Sequence, residues 1–315
     1  LGRMMAQAAL PLNIQCSFFE AETDCPAAIL GPVFSSKNPE ALQDFIASAD
    51  VFSLEFENTP VADVDVLTQT KTLHPPRLAL ATAQNRLAEK SLFDELGIPV
   101  APYRAVDSLD SLKQAVTELG LPIELKTVTG GYDGKGQYVL KDRSDLAPAM
   151  NLLREGNCEL EAWIPFEKEL SIMVAGNGRE YMTFPIVENS HRNNILHQTI
   201  APANISPDVA SEVTRIAKVI AKAVDLHGVL AIEIFLTSSG SIYVNELAPR
   251  PHNSGHYSIE ACNTSQFDAH IRGVCGWPLG EVTLLSPAVM VNILGEDLEK
   301  TYQQIQRQPD WQFHY

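Results

Sequence analysis

The chain has 315 residues, of which 45% are hydrophobic, and its net charge at pH 7 is −16. This length exceeds what one compact core usually holds and predicts two or three domains. The negative charge argues against nonspecific nucleic-acid binding, and no apolar run in the sequence is long enough to span a membrane. Five cysteines without a C-x-x-C pair argue against a disulfide framework or a zinc site and favour a reducing compartment such as the cytoplasm.

Both ends of the sequence are unusual for an α/β domain. The opening stretch LGRMMAQAAL reads as a helix and lacks the basic start of a signal peptide, whereas an α/β domain normally opens with a strand. The last stretch, DWQFHY, stops on aromatic residues that are typical of a strand. We therefore expect a chain that is truncated at both ends.

The first half of the sequence alternates strand and helix patterns. Strand patterns at 14–19 and 50–56 flank a helix pattern at 38–48, so this region predicts an α/β layer with a partly parallel sheet. Helix patterns then cover 85–99 and 108–122, and each ends on Gly with Pro two residues later.

The stretch GGYDGKGQ at 130–137 places four glycines around a lysine and an aspartate. Residues of high β propensity stand on both sides, which predicts a strand–loop–strand hairpin. This setting excludes a P-loop and a dinucleotide fingerprint, because both lead into a helix, and no HRD or DFG motif supports a protein kinase. The loop is either an ordinary surface turn or a hairpin that closes over a nucleotide triphosphate with backbone N–H groups and Lys135.

The second half of the sequence again mixes strands and helices. Its predicted elements are strands at 158–164, 169–176 and 180–187, an amphipathic helix at 207–226, a second hairpin at 229–249 and a helix near 258–274.

Two carboxylates interrupt the apolar strands of this second hairpin. If TSSG is a four-residue loop that pairs Leu236 with Ser241, then Glu233 opposes Val244 and Glu246 lies diagonally from Glu233 on the same face. Such diagonal neighbours are about 7–8 Å apart, so their side chains could share Mg²⁺, which prefers carboxylates together with phosphate oxygens. The alternative is that each carboxylate pairs with a Lys or Arg side chain, and the pattern alone leaves both possibilities open.

The segment NELAPRPHNSGH at 245–256 crowds Asn, Glu, Arg and His side chains into a stretch that Pro249 and Pro251 stiffen. Structural hydrogen bonds in a polar loop would explain such a composition. A functional site is the favoured interpretation, because the segment continues directly from the possible metal ligand Glu246.

Together, these motifs resemble the ATP-grasp superfamily, in which ATP lies between two α/β lobes. EFEN, TGGYDGKGQ and NELAPRPHNSGH, in this order after LGRMM, are similar to motifs of the 5-(carboxyamino)imidazole ribonucleotide synthase family. The resemblance implies an α/β (α+β) ATP-grasp fold behind an N-terminal, Rossmann-like pre-ATP-grasp domain. It divides the chain into that domain at 1–85, a small lid subdomain with the hairpin at 86–165, and a large subdomain with the start of a C-terminal domain at 166–315.

The resemblance also implies a role for individual residues. The implied ATP-binding residues are Arg86, Lys126, Gly131, Tyr132, Asp133, Gly134, Lys135, Gly136, Gln137, Glu161, Ala162, Trp163, Ile164, Glu169, His191, Asn245 and Glu246. The implied substrate residues are Tyr132, Asp133, Arg250, His252 and Asn253. Arg250 and Lys135 are the implied catalytic residues, and Glu233 and Glu246 are the implied ligands of two Mg²⁺ ions. For Arg86, a solvated helix face shared with Lys90 is the alternative.

The activity that the family implies is the ATP-dependent carboxylation of 5-aminoimidazole ribonucleotide by bicarbonate, through carboxyphosphate, in purine biosynthesis. A cytoplasmic homodimer with small-molecule substrates, and without a nucleic-acid or membrane partner, is expected. The opening strand of the family and a basic segment beyond FHY have no counterpart here, so the ribonucleotide site is expected to be incomplete. The alternatives are another ATP-grasp carboxylate–amine ligase, such as a formate-using transformylase, and a non-catalytic nucleotide-binding module.

Overall fold

The computed structural model describes residues 1–131 and 135–315. Its α-helices are α1 (Gly2–Ala9), α2 (Ala41–Ser48), α3 (Val61–Thr68), α4 (Arg77–Ala83), α5 (Arg86–Glu95), α6 (Leu109–Leu119), α7 (Leu146–Glu155), α8 (Pro207–Ala223), α9 (Ser258–Ala261), α10 (Gln266–Val274) and α11 (Leu298–Arg307). Its strands are β1 (Phe18–Glu20), β2 (Val33–Ser35), β3 (Val51–Phe52), β4 (Thr72–Leu73), β5 (Tyr103–Val106), β6 (Ile123–Thr127), β7 (Gln137–Leu140), β8 (Cys158–Ala162), β9 (Phe166–Asn177), β10 (Tyr181–Thr183), β11 (Val187–Arg192), β12 (Ile195–Ala201), β13 (His227–Thr237), β14 (Ile242–Ala248) and β15 (Ala288–Val291).

The N-terminal region combines helices with short parallel strand pairs, as its sequence predicts. β1 pairs with β2, and β3 pairs with β4, both in parallel. The expected strand at 50–56 is shorter than predicted and ends at Phe52. Its partner β4 is followed by Pro75 and Pro76, which lack the N–H groups that a longer ladder would need.

A sheet with the order β5-β8-β6-β7 follows within the described part of the chain. One face of this sheet carries apolar side chains such as Ile123, Leu125 and Leu160, which form a buried core beneath α6 and α7. The other face carries Glu124, Lys126, Glu159 and Glu161, because side chains alternate between the two faces of a strand. The strict alternation therefore gives the sheet one structural face and one charged face.

The large sheet has the order β14-β13-β9-β11-β12-β15, with β10 paired to β9. The amphipathic helix α8 covers one face, where its residues Val213, Ile216 and Ile220 are fully buried. α10 packs on β9 and β13 from the other side. A sheet buried on both faces explains why β9 and β13 read as nearly continuous apolar runs.

Two sequence expectations for the C-terminal part are wrong. The helix near 258–274 is two helices, because Ser265 caps α10 in a reciprocal capping box with Asp268. The aromatic end at 310–315 is not a strand. Tyr315 instead stacks on Tyr302 of α11, with ring centroids 5.6 Å apart, and its hydroxyl lies 2.7 Å from Thr301 Oγ1.

Among the described residues, the helices are too short or too polar for a membrane crossing. The division of the chain at 85 and 165 stays a prediction.

Candidate active site

A cavity of about 650 Å³ lies between the charged face of the small sheet and the β9–β13–β14 edge of the large sheet. α5 and the loop at 57–58 close other sides of it. The predicted site residues that line it are Arg86, Lys126, Gly131, Gln137, Glu161, Ala162, Trp163, Ile164, Glu169, His191, Glu233, Asn245, Glu246, Arg250, His252 and Asn253. Lys135 and Gly136 are described but do not line the cavity, and Tyr132, Asp133 and Gly134 lie outside the described residues.

Buried ion pairs form the wall of the cavity at the small sheet. Lys126 Nζ lies 2.5 Å from Glu161 Oε2 and 3.3 Å from Glu124 Oε2, and Lys90 Nζ lies 2.5 Å from Glu161 Oε1. Burial opposes the charge of Lys126, but Glu161 and Glu124 outweigh it and raise the pKa of the ammonium. Burial likewise opposes the charge of Glu161, and Lys126 and Lys90 reverse this and lower its pKa. Lys126 is therefore charged in the cavity wall, with Glu161 as its ion-pair partner.

The charged residues of α5 face this wall. Asn85 caps the helix by accepting the Ala88 N–H, and the i, i+3, i+4 spacing places Arg86, Glu89 and Lys90 on one side. Lys90 is only 2% exposed, so the alternative that it lies on a solvated helix face is wrong for this residue. A long-range ion pair to the small sheet explains how a lysine can be buried here.

The ends of the glycine-rich loop lie close to Arg86. Strands β6 and β7 pair in antiparallel register on either side of the loop, which confirms the predicted hairpin. Gly136 has a φ of +69°, and a Cβ atom there would lie 2.6 Å from Thr127 Oγ1. A Cβ atom on Gly131 would lie 2.9 Å from the Lys135 carbonyl oxygen and 3.6 Å from Arg86 Nη2. Glycine is thus required where the backbone turns and where it approaches the cavity.

The second hairpin brings Glu233 and Glu246 to the same cavity, but not by the predicted register. Leu236 pairs with Ile242 rather than with Ser241, and a β-bulge interrupts the ladder between Ile232 and Ile234. The bulge sets Glu233 alone against both Asn245 and Glu246. The extra residue of the bulge offsets the one-residue difference from the predicted register. The side chains of Glu233 and Glu246 therefore still lie on the same face of the hairpin.

The electrostatic surroundings of this carboxylate pair differ from one residue to the other. Burial, with Glu246 nearby, raises the pKa of Glu233. Glu233 Oε1 lies 3.5 Å from His252 Nε2, and Glu246 Oε2 lies 3.5 Å from Arg86 Nη1. Within the described ranges, the His, Cys, Asp and Glu side chains form no group of three or more that could hold a metal ion. The metal role of the pair stays a prediction.

Aromatic and polar groups line the end of the cavity at the hinge between β8 and β9. The indole of Trp163 is 45% exposed, so it lines the cavity instead of packing in a core. The rings of Phe166 and Phe235 stack with centroids 4.6 Å apart. Glu169 contacts His191 Nδ1, and although burial opposes the charge of this imidazole, the contact raises its pKa. This end combines flat apolar surface with hydrogen-bonding groups.

Hydrogen bonds hold the guanidinium of Arg250 in a defined position. Its guanidinium binds Glu57 with two N–H groups, Nε and Nη2, the latter at 2.9 Å from Glu57 Oε1. Its Nη1 donates to the Pro251 carbonyl oxygen at 3.0 Å, and the group lies 6.0 Å from the ring centroid of Phe56. The edge between Nη1 and Nη2 keeps one further N–H on each nitrogen for a bidentate anion.

Sequence reasoning missed several charged residues of the site. Besides Glu57 and Lys90, they include Glu89, whose carboxylate is 2% exposed and accepts the Leu247 N–H at 2.7 Å. Glu159 is also fully buried, and burial, followed by the repulsion of Glu161, raises its pKa. The signals were the EFEN motif, the charged stripe of α5 and the alternation in β8, but each is also compatible with a solvated surface.

Comparison with known proteins identifies the family of this architecture. An ATP-grasp domain model matches residues 91–267, and a ribonucleotide synthetase preATP-grasp domain model matches residues 1–84. The N5-carboxyaminoimidazole ribonucleotide synthase of Bacillus subtilis is 42% identical over 95% of this chain and 80% of its own length.

Solved structures extend this similarity to the fold. An N5-carboxyaminoimidazole synthetase from Staphylococcus aureus, complexed with ADP, is 37% identical, with a TM-score of 0.93 over 100% of this chain and 85% of its own. An Aspergillus clavatus N5-carboxyaminoimidazole synthase, in complex with ADP and 5-aminoimidazole ribonucleotide, is 29% identical, with a TM-score of 0.88 over 98% of this chain and 84% of its own.

Proposed function

This chain belongs to the N5-carboxyaminoimidazole ribonucleotide synthase family within the ATP-grasp superfamily, and we propose that it catalyses the reaction of that family. In this reaction ATP phosphorylates bicarbonate to carboxyphosphate. The exocyclic amine of 5-aminoimidazole ribonucleotide then takes up the carboxyl group. The products are 5-(carboxyamino)imidazole ribonucleotide, ADP and phosphate, and the step belongs to de novo purine biosynthesis.

The observation that carries the proposal is the charge arrangement across one cavity. Arg86 and Lys126 line the cavity from α5 and the small sheet, and Glu233 and Glu246 line it from the large sheet, with Glu246 Oε2 3.5 Å from Arg86 Nη1. Transfer of a γ-phosphoryl group needs positioning and neutralisation of negative charge more than covalent catalysis. We assign Arg86 and Lys126 to the phosphates of ATP. We also assign Lys135 to the phosphates, because it lies in the glycine-rich loop.

The adenosine end of ATP is assigned to the hinge between the two sheets. The backbone at 161–164 joins β8 to β9 beside the exposed indole of Trp163, where a planar base would find both hydrogen bonds and apolar contact. Glu169, held by its contact with His191 Nδ1, provides a carboxylate acceptor for a ribose hydroxyl. Asn245 and the loop residues Gly131 and Gln137 border the phosphates on this assignment.

Mg²⁺ fits the carboxylate pair. A buried Glu233 that repels Glu246 is costly as an anion, and a divalent cation between them would remove that cost. Glu233 and Glu246, with the amide oxygen of Asn245 beside them, would hold the metal, and phosphate oxygens would supply other ligands. The metal would supply neutralisation of phosphate charge.

The acceptor side of the reaction is assigned to the segment after β14. Arg250 would hold the bicarbonate-derived group through its Nη1–Nη2 edge, since Glu57 already binds the other edge. His252 and Asn253 line the cavity beside it. Tyr132 and Asp133 remain substrate residues by family resemblance alone. A homodimer and a cytoplasmic location also rest on the family, and light scattering on the purified protein would test the first.

The test is a phosphate-release assay with ATP, Mg²⁺ and bicarbonate, in the presence and absence of 5-aminoimidazole ribonucleotide. We expect the ribonucleotide to stimulate ADP formation and to be converted to its N-carboxylated product in the same ratio. Bicarbonate-depleted buffer is the control and should abolish the stimulation.

Two other outcomes would contradict the proposal. Stimulation by formate with another amine would indicate a different ATP-grasp ligase. Saturable ATP binding without turnover under any of these conditions would indicate a nucleotide-binding module.

A further inference from the structure

A chain of hydrogen bonds leads from the interior of the large sheet to His252 in the cavity. Thr199 Oγ1 donates to Asn189 Oδ1 at 2.8 Å, and Asn189 Nδ2 donates to Ser171 Oγ at 2.9 Å. Ser171 Oγ donates to Ser254 Oγ at 2.8 Å, and Ser254 Oγ lies 2.8 Å from His252 Nδ1. We call these four residues, Thr199, Asn189, Ser171 and Ser254, the buried chain.

The buried chain is not a surface feature. Thr199, Ser171 and Ser254 have no exposed surface, and Asn189 is 7% exposed. Four polar side chains at such depth are less favourable than apolar ones unless all their hydrogen bonds are made. The core of β9, β11 and β12 thus carries a connected polar network, and this network ends at His252 in the cavity.

The direction of the hydrogen bonds is the same throughout. Asn189 Oδ1 can only accept, so Thr199 donates to it, and the Asn189 amide then donates to Ser171. Ser254 Oγ already accepts from Ser171, so its own proton is available for His252 Nδ1. Among the residues that the structure describes, the hydroxyl also reaches Met173 Sδ at 3.8 Å, but this acceptor is a weak thioether.

A backbone group acts on the same nitrogen. His252 precedes the short 3₁₀ turn Asn253–Gly255, and its Nδ1 accepts the Ser254 N–H at 3.4 Å. An N–H donor can approach Nδ1 only where the ring carries a lone pair. Two donors from Ser254 therefore converge on Nδ1, and the ring proton belongs on Nε2.

We propose that the buried chain sets the tautomer of His252, with Ser254 and Ser171 as positioning residues that make Nε2–H a donor into the cavity. Nε2 lies 3.5 Å from Glu233 Oε1, so this tautomer turns a proton toward the carboxylate.

The consequence for catalysis rests on the proposed function. A neutral imidazole with Nε2–H can donate to an oxygen of the bicarbonate-derived group, but it cannot accept a hydrogen bond from the ribonucleotide amine at the same position. The buried chain thus gives this point of the cavity a preference for the acceptor oxygens of the one-carbon substrate. Its loss should lower turnover more than ATP affinity, because Ser254 and Ser171 are not among the residues that line the cavity.

Nuclear magnetic resonance tests the tautomer without substrate. Long-range ¹H–¹⁵N spectra of protein labelled at histidine distinguish a protonated from an unprotonated ring nitrogen, and His252→Gln assigns the signals. We expect a protonated Nε2 and an unprotonated Nδ1 in the wild-type protein. In Ser254→Ala we expect the His252 signals to move toward a mixture of the two tautomers, and Ser254→Thr, which keeps the hydroxyl, should restore the wild-type pattern.

Kinetics of the same variants test the role. We expect kcat of Ser254→Ala to fall about five- to tenfold, the value of one neutral hydrogen bond, with KM for ATP unchanged. Ser171→Ala should cause a smaller fall. Ser258→Ala is the matched control, because this serine is equally buried nearby. Its hydroxyl donates to the Gly255 carbonyl oxygen and accepts the Gln266 N–H, and neither bond reaches the His252 ring, so its loss should leave the His252 signals in place.

A wild-type His252 with its proton on Nδ1 would overturn the proposal, and so would Ser254→Ala with unchanged ring signals. If Ser254→Ala does not fold, the wild-type spectrum and Ser171→Ala decide the question in the same way. A protein with the expected tautomer but without carboxylation activity would contradict the proposed function alone.

Discussion

At the scale of single residues, the cavity is defined by charges that are buried in pairs. Lys126 and Lys90 share Glu161, and Arg250 shares its guanidinium with Glu57. Each pair holds a long side chain in a defined position, which lowers the conformational entropy that a ligand would otherwise have to remove. Such a site is pre-organised for a polyanion.

The first prediction concerns Lys126. On the proposed assignment, Lys126→Ala removes one charge-assisted contact to ATP phosphate, worth about 1.5–3 kcal/mol, so ATP affinity should fall roughly ten- to hundredfold. Calorimetric titration with ATP and Mg²⁺ measures this affinity. Lys113→Ala, which removes an exposed lysine from α6, is the control and should bind as the wild type does. Equal affinity in both variants would show that Lys126 has only a structural role.

The second prediction concerns the metal pair. Glu246→Gln keeps the shape but removes one negative charge, so the Mg²⁺ concentration needed for half-maximal turnover should rise roughly ten- to hundredfold. The fold should survive, because the Glu246 side chain is 44% exposed. Glu212→Gln on the exposed side of α8 is the control. A variant with wild-type Mg²⁺ dependence would remove Glu246 from the metal site.

At the scale of elements, each helix or strand of the site contributes one turn or one face to the cavity. β6 and β8 provide their charged faces, and α5 provides its stripe of Arg86, Glu89 and Lys90. The β13–β14 bulge turns two carboxylates inward. Local backbone geometry at these elements therefore decides the chemistry of the cavity.

The third prediction concerns the hairpin of β6 and β7. Gly136→Ala places a Cβ atom against Thr127 Oγ1 at positive φ, whereas Gly130→Ala has positive φ but open space around it. Positive φ alone costs roughly 1–2 kcal/mol, so Gly130→Ala should destabilise by that amount and Gly136→Ala by more. Urea unfolding of both variants measures the difference. Equal losses would mean that the close approach to Thr127 contributes nothing.

The fourth prediction concerns pH and α5. Burial raises the pKa of Glu89 to about 8, from an ordinary value of 4.5. Between these two pH values the folded state binds a proton that the unfolded state has lost, so this residue makes stability fall as pH rises. Glu89→Gln stays neutral and keeps an acceptor for Leu247 N–H, so its stability relative to wild type should increase from pH 5 to pH 8.

Urea unfolding of the protein without nucleotide at both pH values measures this change. Glu95→Gln removes an exposed carboxylate from the same helix and should show a pH-independent difference from wild type. A pH-independent difference for Glu89→Gln as well would contradict the assignment of a proton to this buried carboxyl group.

At the scale of the whole molecule, the cavity belongs to no single sheet. The small sheet and α5 supply Lys126 and Arg86, and the large sheet with the segment after β14 supplies Glu169, Glu233, Glu246 and Arg250. A ligand that contacts both walls links the stability of the two regions, because it binds only when both are folded.

The fifth prediction follows from this arrangement. ATP with Mg²⁺ at about 100 times its Kd should stabilise the protein by about 2.7 kcal/mol. Thermal unfolding should then show a single transition with a higher midpoint temperature. AMP, which lacks the β- and γ-phosphates, is the matched control and should give a smaller rise at the same concentration. Two transitions, of which only one moves with ATP, would indicate that the nucleotide contacts one region alone.

Much of this protein could be predicted from local sequence. The hairpin around GGYDGKGQ, the helices capped at Asn85 and Ser108 and the apolar face of α8 depend on residues that are near one another in the chain. Turn, cap and alternation rules act over that short range, so the pattern of residues was sufficient.

The partners of the buried charges were decided only by tertiary structure. Glu57 meets Arg250 across 193 residues, Lys126 meets Glu161 across 35, and a bulge in β13–β14 offsets the wrong predicted register. A charged residue has the same local pattern whether water or a distant partner satisfies it. The choice depends on which elements pack together, because only packing removes the water and makes a partner necessary.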